Sequence, residues 1–248
     1  MPPSFKIIIN CGRCEKFIEK CLESVLQQST LSNWEAYVTV DPCGDRTFAK
    51  AIQAAGSDPR IRIKQNTTRR YSLQNTISAI ERSGARPEDV LISLDGDDWF
   101  ANPYALGVIA ETYQRHDCWL TYGSWVSPNG GPSGEGLWPA YPAGTNFRHH
   151  RWLGTAVRTW KKWLWDCVKD ADLRDDSGEY FRVAEDRATM LPMLEMCGAE
   201  RAKHIDTPIM VYNQGPLYSG EEAKRNVRTL ELRAPYLHLV SKPVPVTV

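Results

Sequence analysis

Val90-Leu91-Ile92-Ser93-Leu94-Asp95-Gly96-Asp97-Asp98-Trp99 is the stretch on which the fold turns. Its apolar half reads as a buried strand. Its second half gathers three carboxylates around one glycine, and such charge is not buried without cations or hydrogen-bond donors nearby. Open α/β sheets bind their ligands beyond the carboxyl ends of their strands. The stretch is therefore a candidate seat for a divalent cation and a polyphosphate. Its plainer reading is an Asx-rich turn that satisfies its own backbone.

Upstream, strands and helices alternate. Phe5 to Ile9 is a strand with little polar interruption, expected to be buried on both faces. After the turn Asn10-Cys11-Gly12-Arg13, the residues Phe17, Ile18, Cys21, Leu22, Val25 and Leu26 recur at helical spacing. Ala36 to Val40 is a second strand and ends in Asp41-Pro42-Cys43-Gly44-Asp45. So short a strand-helix-strand unit implies parallel strands joined by a right-handed crossover. A helix over Arg46 to Ala55, an edge strand over Ile61 to Gln65 and a helix over Tyr71 to Arg82 complete a βαβαβαβ order ending at Val90. The strand ends Asn10, Asp41, Asn66 and Asp95 are then expected to floor one crevice.

Downstream, Asn102-Pro103 starts a helix carrying Leu106, Ile109, Ala110 and Tyr113, and Trp119 to Gly123 reads as a strand. Ser127 to Gly144 is rich in Gly, Pro and Ser, and loops of that length are usually functional or disordered. It lacks the Gly-Lys-Ser/Thr ending of a P-loop. Trp125 and Trp138, in or beside it, are candidate flat walls for an acceptor, or else loop packing. Trp160, Trp163 and Leu164 read as one buried helical face. Glu185-Asp186 opens a helix over Arg187 to Cys197 that Gly198 closes, and acids there complement the helix dipole. Pro208 to Tyr212 is a late strand, with a structural His204 before it, and Glu221 to Leu239 is an amphipathic helix. The expected fold class is α/β, a single domain over 1–248 with a mostly parallel central sheet flanked by helices. Within it, 1–100 is the nucleotide-binding half, 101–220 the acceptor-binding half and 221–248 a C-terminal helix and tail.

Composition narrows the partners. The chain has 248 residues, 42% of them apolar, with 30 basic against 30 acidic side chains. A zero net charge gives no global attraction to nucleic acid or anionic membranes. No run reaches the roughly 18 apolar residues of a membrane span. Met1-Pro2-Pro3-Ser4 leads straight into a strand without a signal-peptide pattern, and seven scattered cysteines suit reduced thiols, so a cytoplasmic protein is expected. Cys11 and Cys14 form a lone C-x-x-C without the second pair of a zinc site.

The order Ile7-Ile8-Ile9-Asn10, Leu22-Glu23-Ser24-Val25-Leu26-Gln27-Gln28, Val40-Asp41-Pro42-Cys43-Gly44-Asp45, Leu94-Asp95-Gly96-Asp97-Asp98 and Glu185-Asp186 resembles a family 2 glycosyltransferase of the GT-A (Rossmann-like) fold. That resemblance implies inverting transfer of a sugar from a nucleoside diphosphate donor, UDP-type, to an acceptor hydroxyl, with Mn²⁺ or Mg²⁺. It puts Asn10 to Gly12 along the nucleoside, Asp41 on the nucleobase edge with Asn75 lining the same pocket, Asp95 (with Gly96 in its turn) on the ribose, and Asp97 on the metal beside Asp95. Asp98 would hold the turn or bind through water. Asp186 becomes the general base, positioned by Glu185, and His149 or His150 a candidate further ligand. Pro42 and Gly44 depart from the acid and serine usual there, which weakens a uracil assignment. The Q-x-x-R-W pattern of processive synthases is missing, which favours a single transfer. The acceptor is open: a glycan, a lipid-linked sugar, a protein or a modified nucleobase. Arg148, Arg151, Arg158, Lys161 and Lys162 form a basic cluster that either touches phosphates or is an exposed helix face. Two rival readings stand beside this one. Gly96-Asp97-Asp98 also echoes a nucleotidyltransferase turn, which needs a β-hairpin, and the chain can be a non-catalytic nucleotide- or sugar-binding domain.

Overall fold

A computed structural model describes residues 2–129, 139–213 and 220–243. Of three expected strands, β1 (Phe5–Cys11) and β2 (Trp34–Val40) are two residues longer than anticipated and β3 (Ile61–Gln65) has the anticipated bounds. They alternate with α1 (Ile18–Leu26), α2 (Thr47–Ala55) and α3 (Tyr71–Ser83), and β4 (Val90–Asp95) follows. Then come β5 (Trp99–Phe100), α4 (Ala105–Arg115), β6 (Leu120–Val126), β7 (Arg158–Lys161), α5 (Lys162–Asp166), α6 (Glu185–Arg201), β8 (Ala202–Val211) and α7 (Glu221–Leu232).

One sheet of eight strands runs in the order β3-β2-β1-β4-β7-β6-β8-β5. The β3-β2-β1-β4 half is wholly parallel, as the βαβ alternation requires. β7 enters antiparallel between β4 and β6, β6 and β8 run parallel, and β5 closes the edge antiparallel to β8. Period two divides the core. Ile7, Ile9, Val38, Ile92 and Leu94 face α1, α2 and α4, while Ile8, Tyr37 and Leu91 face α3, α6 and the tryptophans. Ile7, Ile8 and Ile9 are each fully buried, and such side chains stabilise by about 1.5–3 kcal/mol apiece.

Three expectations are corrected. Trp160 lies in β7, not on a helix with Trp163 and Leu164, although all three are buried as expected. The late strand runs from Ala202, because β6 pairs along it on both sides of a bulge that takes up Pro208. The last helix stops at Leu232 rather than Leu239, since Pro235 follows and disfavours helix in the residue before it. Residues 233–239 instead lie against α6, with the Tyr236 amide donating to Glu195 Oε2 at 2.9 Å and that of Leu239 to Met196 O at 2.9 Å. Among the described residues no helix is long and apolar enough to cross a membrane.

Candidate functional site

The parallel half of the sheet sets Asn66, Asp41, Asn10 and Asp95 side by side at its carboxyl end, in strand order. Asp41 is buried and well partnered. Its Oδ1 accepts from Asn66 Nδ2 at 2.8 Å and the Arg70 amide at 3.1 Å, and its Oδ2 from the Tyr71 amide at 2.8 Å. A carboxylate has about four acceptor positions, so Oδ2 keeps one for a ligand. Asn75 is buried beneath, its Oδ1 taking the other Asn66 amide proton at 2.7 Å. Asn75 therefore orients Asn66 and, through it, Asp41. Asn10 Nδ2 donates to Thr76 Oγ1 at 2.8 Å and Ser72 Oγ at 3.3 Å, whereas its buried Oδ1 has no partner. Gly12 is exposed and accepts from the Cys43 thiol at 3.0 Å.

The acidic turn is pressed against the end of β1. The Gly96 amide donates to Asn10 O at 2.8 Å, and a Cβ at Gly96 would stand 2.5 Å from Cys11 Sγ. Any side chain there must displace the Cys11 thiol and crowd Asn10 O at the end of β1. Burial and the neighbouring Asp95 push the Asp97 carboxyl up to about 6 and that of Asp98 up to about 9. Asp98 Oδ1 accepts from the Asn213 amide at 2.8 Å, so it ties the turn to the end of β8. Burial also raises Asp95, with Arg158 opposing and Asp186 adding to the shift.

The facing wall is the start of α6. Ala184 holds a left-handed backbone, φ 63°, and turns Glu185 and Asp186 into a narrow slot with Ser72, Thr76, Ser93 and Arg158. Asp186 Oδ1 accepts from the Arg187 amide at 2.8 Å. Burial, then Asp186 and Asp95, push Glu185 up to about 7. Arg158, opposite Ser93 in the β4–β7 register, stands 3.9 Å from Asp95 and 3.6 Å from Asp186. Burial works against its charge, but Asp186, Asp95 and Glu185 hold it above the ordinary arginine value. The half-buried cation bridging the two acidic walls belongs to a strand too short to leave a periodic signal in sequence.

The rest of the basic cluster disperses. Arg148 is buried in a bidentate pair with Glu195, at 2.6 and 2.8 Å, and also donates to Leu230 O. Lys161 pairs with Glu88 and Lys162 with Asp166. Trp125 sits within β6, 7% exposed with Tyr212 against its ring, and is no open platform. Trp138 lies outside the described residues. Trp152 is folded over Gly154, with the guanidinium of Arg187, the residue after Asp186, 5.1 Å above its ring.

Among the described residues no three His, Cys, Asp or Glu side chains are grouped closely enough to hold a metal alone, and His149 and His150 join no such group. Asp95 and Asp97 still fit a hard divalent cation. They are hard oxygen donors on one turn whose ionised forms burial disfavours, only Asp95 having a nearby cation in Arg158, and two such ligands leave positions for a substrate's oxygens. The turn leads into β5, which pairs with β8 rather than β4, so the hairpin needed for a nucleotidyltransferase turn is not formed.

Comparison with known proteins agrees with this fold. The chain is similar to the crystal structure of S. aureus TarS 1–349 in complex with UDP-GlcNAc, with TM-score 0.64 and 16% identity over 89% of this chain and 60% of that one. It is also similar to the mannosyltransferase PcManGT from Pyrobaculum calidifontis in complex with GDP-Man and Mn²⁺, with TM-score 0.60 and 14% identity over 92% of this chain and 61% of that one. At such identities the likeness is one of fold, and this chain spans about three fifths of those solved chains. No curated protein sequence matches it. The model of the family described as "Glycosyl transferase family 2" matches residues 6–170, well over half of the chain. By that match this chain, with its acidic turn facing the acids of α6, belongs to glycosyl transferase family 2.

Proposed function

We propose that this protein is an inverting glycosyltransferase that moves a sugar from a nucleoside diphosphate sugar to an acceptor hydroxyl. The observation that carries the reading is the slot where Asp186 and Glu185 of α6 face Ser72, Thr76 and Arg158 across from Asp95. Residues 1–100 then form the donor half and residues 101–220 the acceptor half. Asn10 and Gly12 flank the nucleoside, the open lone pair of Asp41 Oδ2 takes a base N–H, and Asp95 meets the ribose. Both UDP-GlcNAc and GDP-Man occur on similar folds, so the base is chosen by such contacts rather than by the fold. UDP-type donors are the first to test.

Asp95 and Asp97 would hold Mn²⁺ or Mg²⁺, which when bound neutralises charge on the diphosphate. Asp186 accepts the proton of the acceptor hydroxyl as its oxygen bonds to the anomeric carbon. The bond to the diphosphate breaks on the opposite face, and the nucleoside diphosphate leaves with the electron pair. Inversion follows from that opposed geometry. Glu185 and Arg158 position Asp186 from either side.

Thermal-shift titration of UDP- and GDP-sugars with Mn²⁺ tests the class, and a bound donor is expected to raise Tm. Asp186→Asn is expected to keep donor affinity while kcat falls by roughly 10²–10⁴. Full turnover by Asp186→Asn removes the base assignment. Donor binding without turnover in the wild type would leave the non-catalytic binding reading.

A further inference from the structure

The interior of the slot is acidic, yet its rim is not. Tyr71, the first residue of α3, has a left-handed backbone at φ 63°, pinned by the Asp41 carboxylate on its amide. Its half-buried ring carries two guanidiniums, Arg69 at 4.4 Å and Arg182 at 5.1 Å from the centroid. Both arginines are exposed, and among the described residues neither has a carboxylate partner. The chain as a whole is electrically neutral, so this pairing of like charges is a local feature. The ring attracts each guanidinium, and their mutual repulsion, weak in water, would turn to attraction for an anion placed beside both. Two non-glycine residues in strained conformations, Tyr71 and Ala184, hold the two sides of the rim, and such strain clusters at ligand sites.

We propose, building on the glycosyltransferase reading, that the acceptor carries an oxyanion, a phosphate or a carboxylate, which Arg69 and Arg182 bind across Tyr71. The geometry favours an acceptor group over the donor's diphosphate. Arg182 is four residues from Asp186, a span of at most about 14 Å, and Tyr71 adjoins Ser72, which lines the same slot as Asp186. Asp95, Glu185 and Asp186 outnumber Arg158 within the slot and disfavour entry of an anion held at the rim. Only a neutral hydroxyl of the same molecule goes in. The rim thus selects a short anionic acceptor and orients it.

The test uses inorganic phosphate as the probe on the whole chain saturated with Mg²⁺ and its best nucleotide sugar, with sodium chloride matching ionic strength. Phosphate affinity is expected to fall about tenfold or more in Arg182→Ala and Arg69→Ala, and by less in Arg182→Lys, with donor affinity unchanged. Equal phosphate binding by wild type and Arg182→Ala overturns the proposal. So does an equal loss of donor affinity, which would assign the rim to the donor's own phosphates. Should no donor bind the wild type, the enzyme reading fails. Phosphate titration of the donor-free protein then decides alone: Arg182-dependent binding supports the rim site and its absence overturns it.

Discussion

Gly96 is the residue at which the acidic turn is tightest. A methyl group there meets Cys11 Sγ at 2.5 Å and Asn10 O at 3.2 Å, so Gly96→Ala should cost about 1–3 kcal/mol in urea unfolding by overpacking. Adding Cys11→Ala removes the nearer atom and should recover part of the loss, whereas strict additivity would disprove the contact. Asp97 is one place further along. Asp97→Ala is expected to abolish the Mn²⁺-dependent rise in Tm on adding donor, and retention of that rise would remove Asp97 from the metal site. Asp95, Gly96 and Asp97 were legible as a group from spacing alone. The engagement of Asp41 with the amides of Arg70 and Tyr71 was not, because a carboxylate's partners 29 and 30 residues away are set by tertiary contact.

At the scale of elements, α6 does two jobs. Its first turn presents Glu185 and Asp186, and ten residues on Glu195 accepts both arms of Arg148. The same pair anchors the C-terminal part of the chain, since Arg148 also reaches Leu230 O and Glu195 also accepts the Tyr236 amide. Breaking a buried pair by removing one partner leaves an uncompensated charge. Arg148→Ala should therefore cost about 3–5 kcal/mol and open residues 233–243 to proteolysis. A loss under about 1 kcal/mol would mean the pair is solvated. Sequence suggested a phosphate contact for Arg148 because its neighbours are basic. Only the fold brings Glu195 to it. Strand β7 makes the same point, for its four residues carry no readable period, yet they deliver Arg158 to the centre of the site.

Across the whole molecule the site is a store of unfavourable charge. Asp97 near 6, Glu185 near 7 and Asp98 near 9 all lie above the roughly 3.9–4.3 of free carboxylates. Between about pH 4 and 9 the folded chain therefore holds more protons than the unfolded one, and its stability falls as pH rises through that window. The metal-free Tm should drop from pH 5 to pH 9, and Mn²⁺ should restore more of it at pH 8 than at pH 5. A Tm that is flat or rising over that range would contradict the burial of these acids. In the other direction, Glu35, held near 2 by Lys6 and Arg62, contributes stability above about pH 4 that is lost as pH falls towards 2. The alternation of strand and helix, the even and odd faces of each strand and the acidic strand end were written in the sequence, because they depend on neighbours within a few residues. The place of β7 between β4 and β6, the bridge of Arg158 across the cleft and the pairing of Arg69 with Arg182 on Tyr71 were decided by the tertiary structure. Each joins segments tens of residues apart, and no local periodicity encodes which distant partner a side chain will meet.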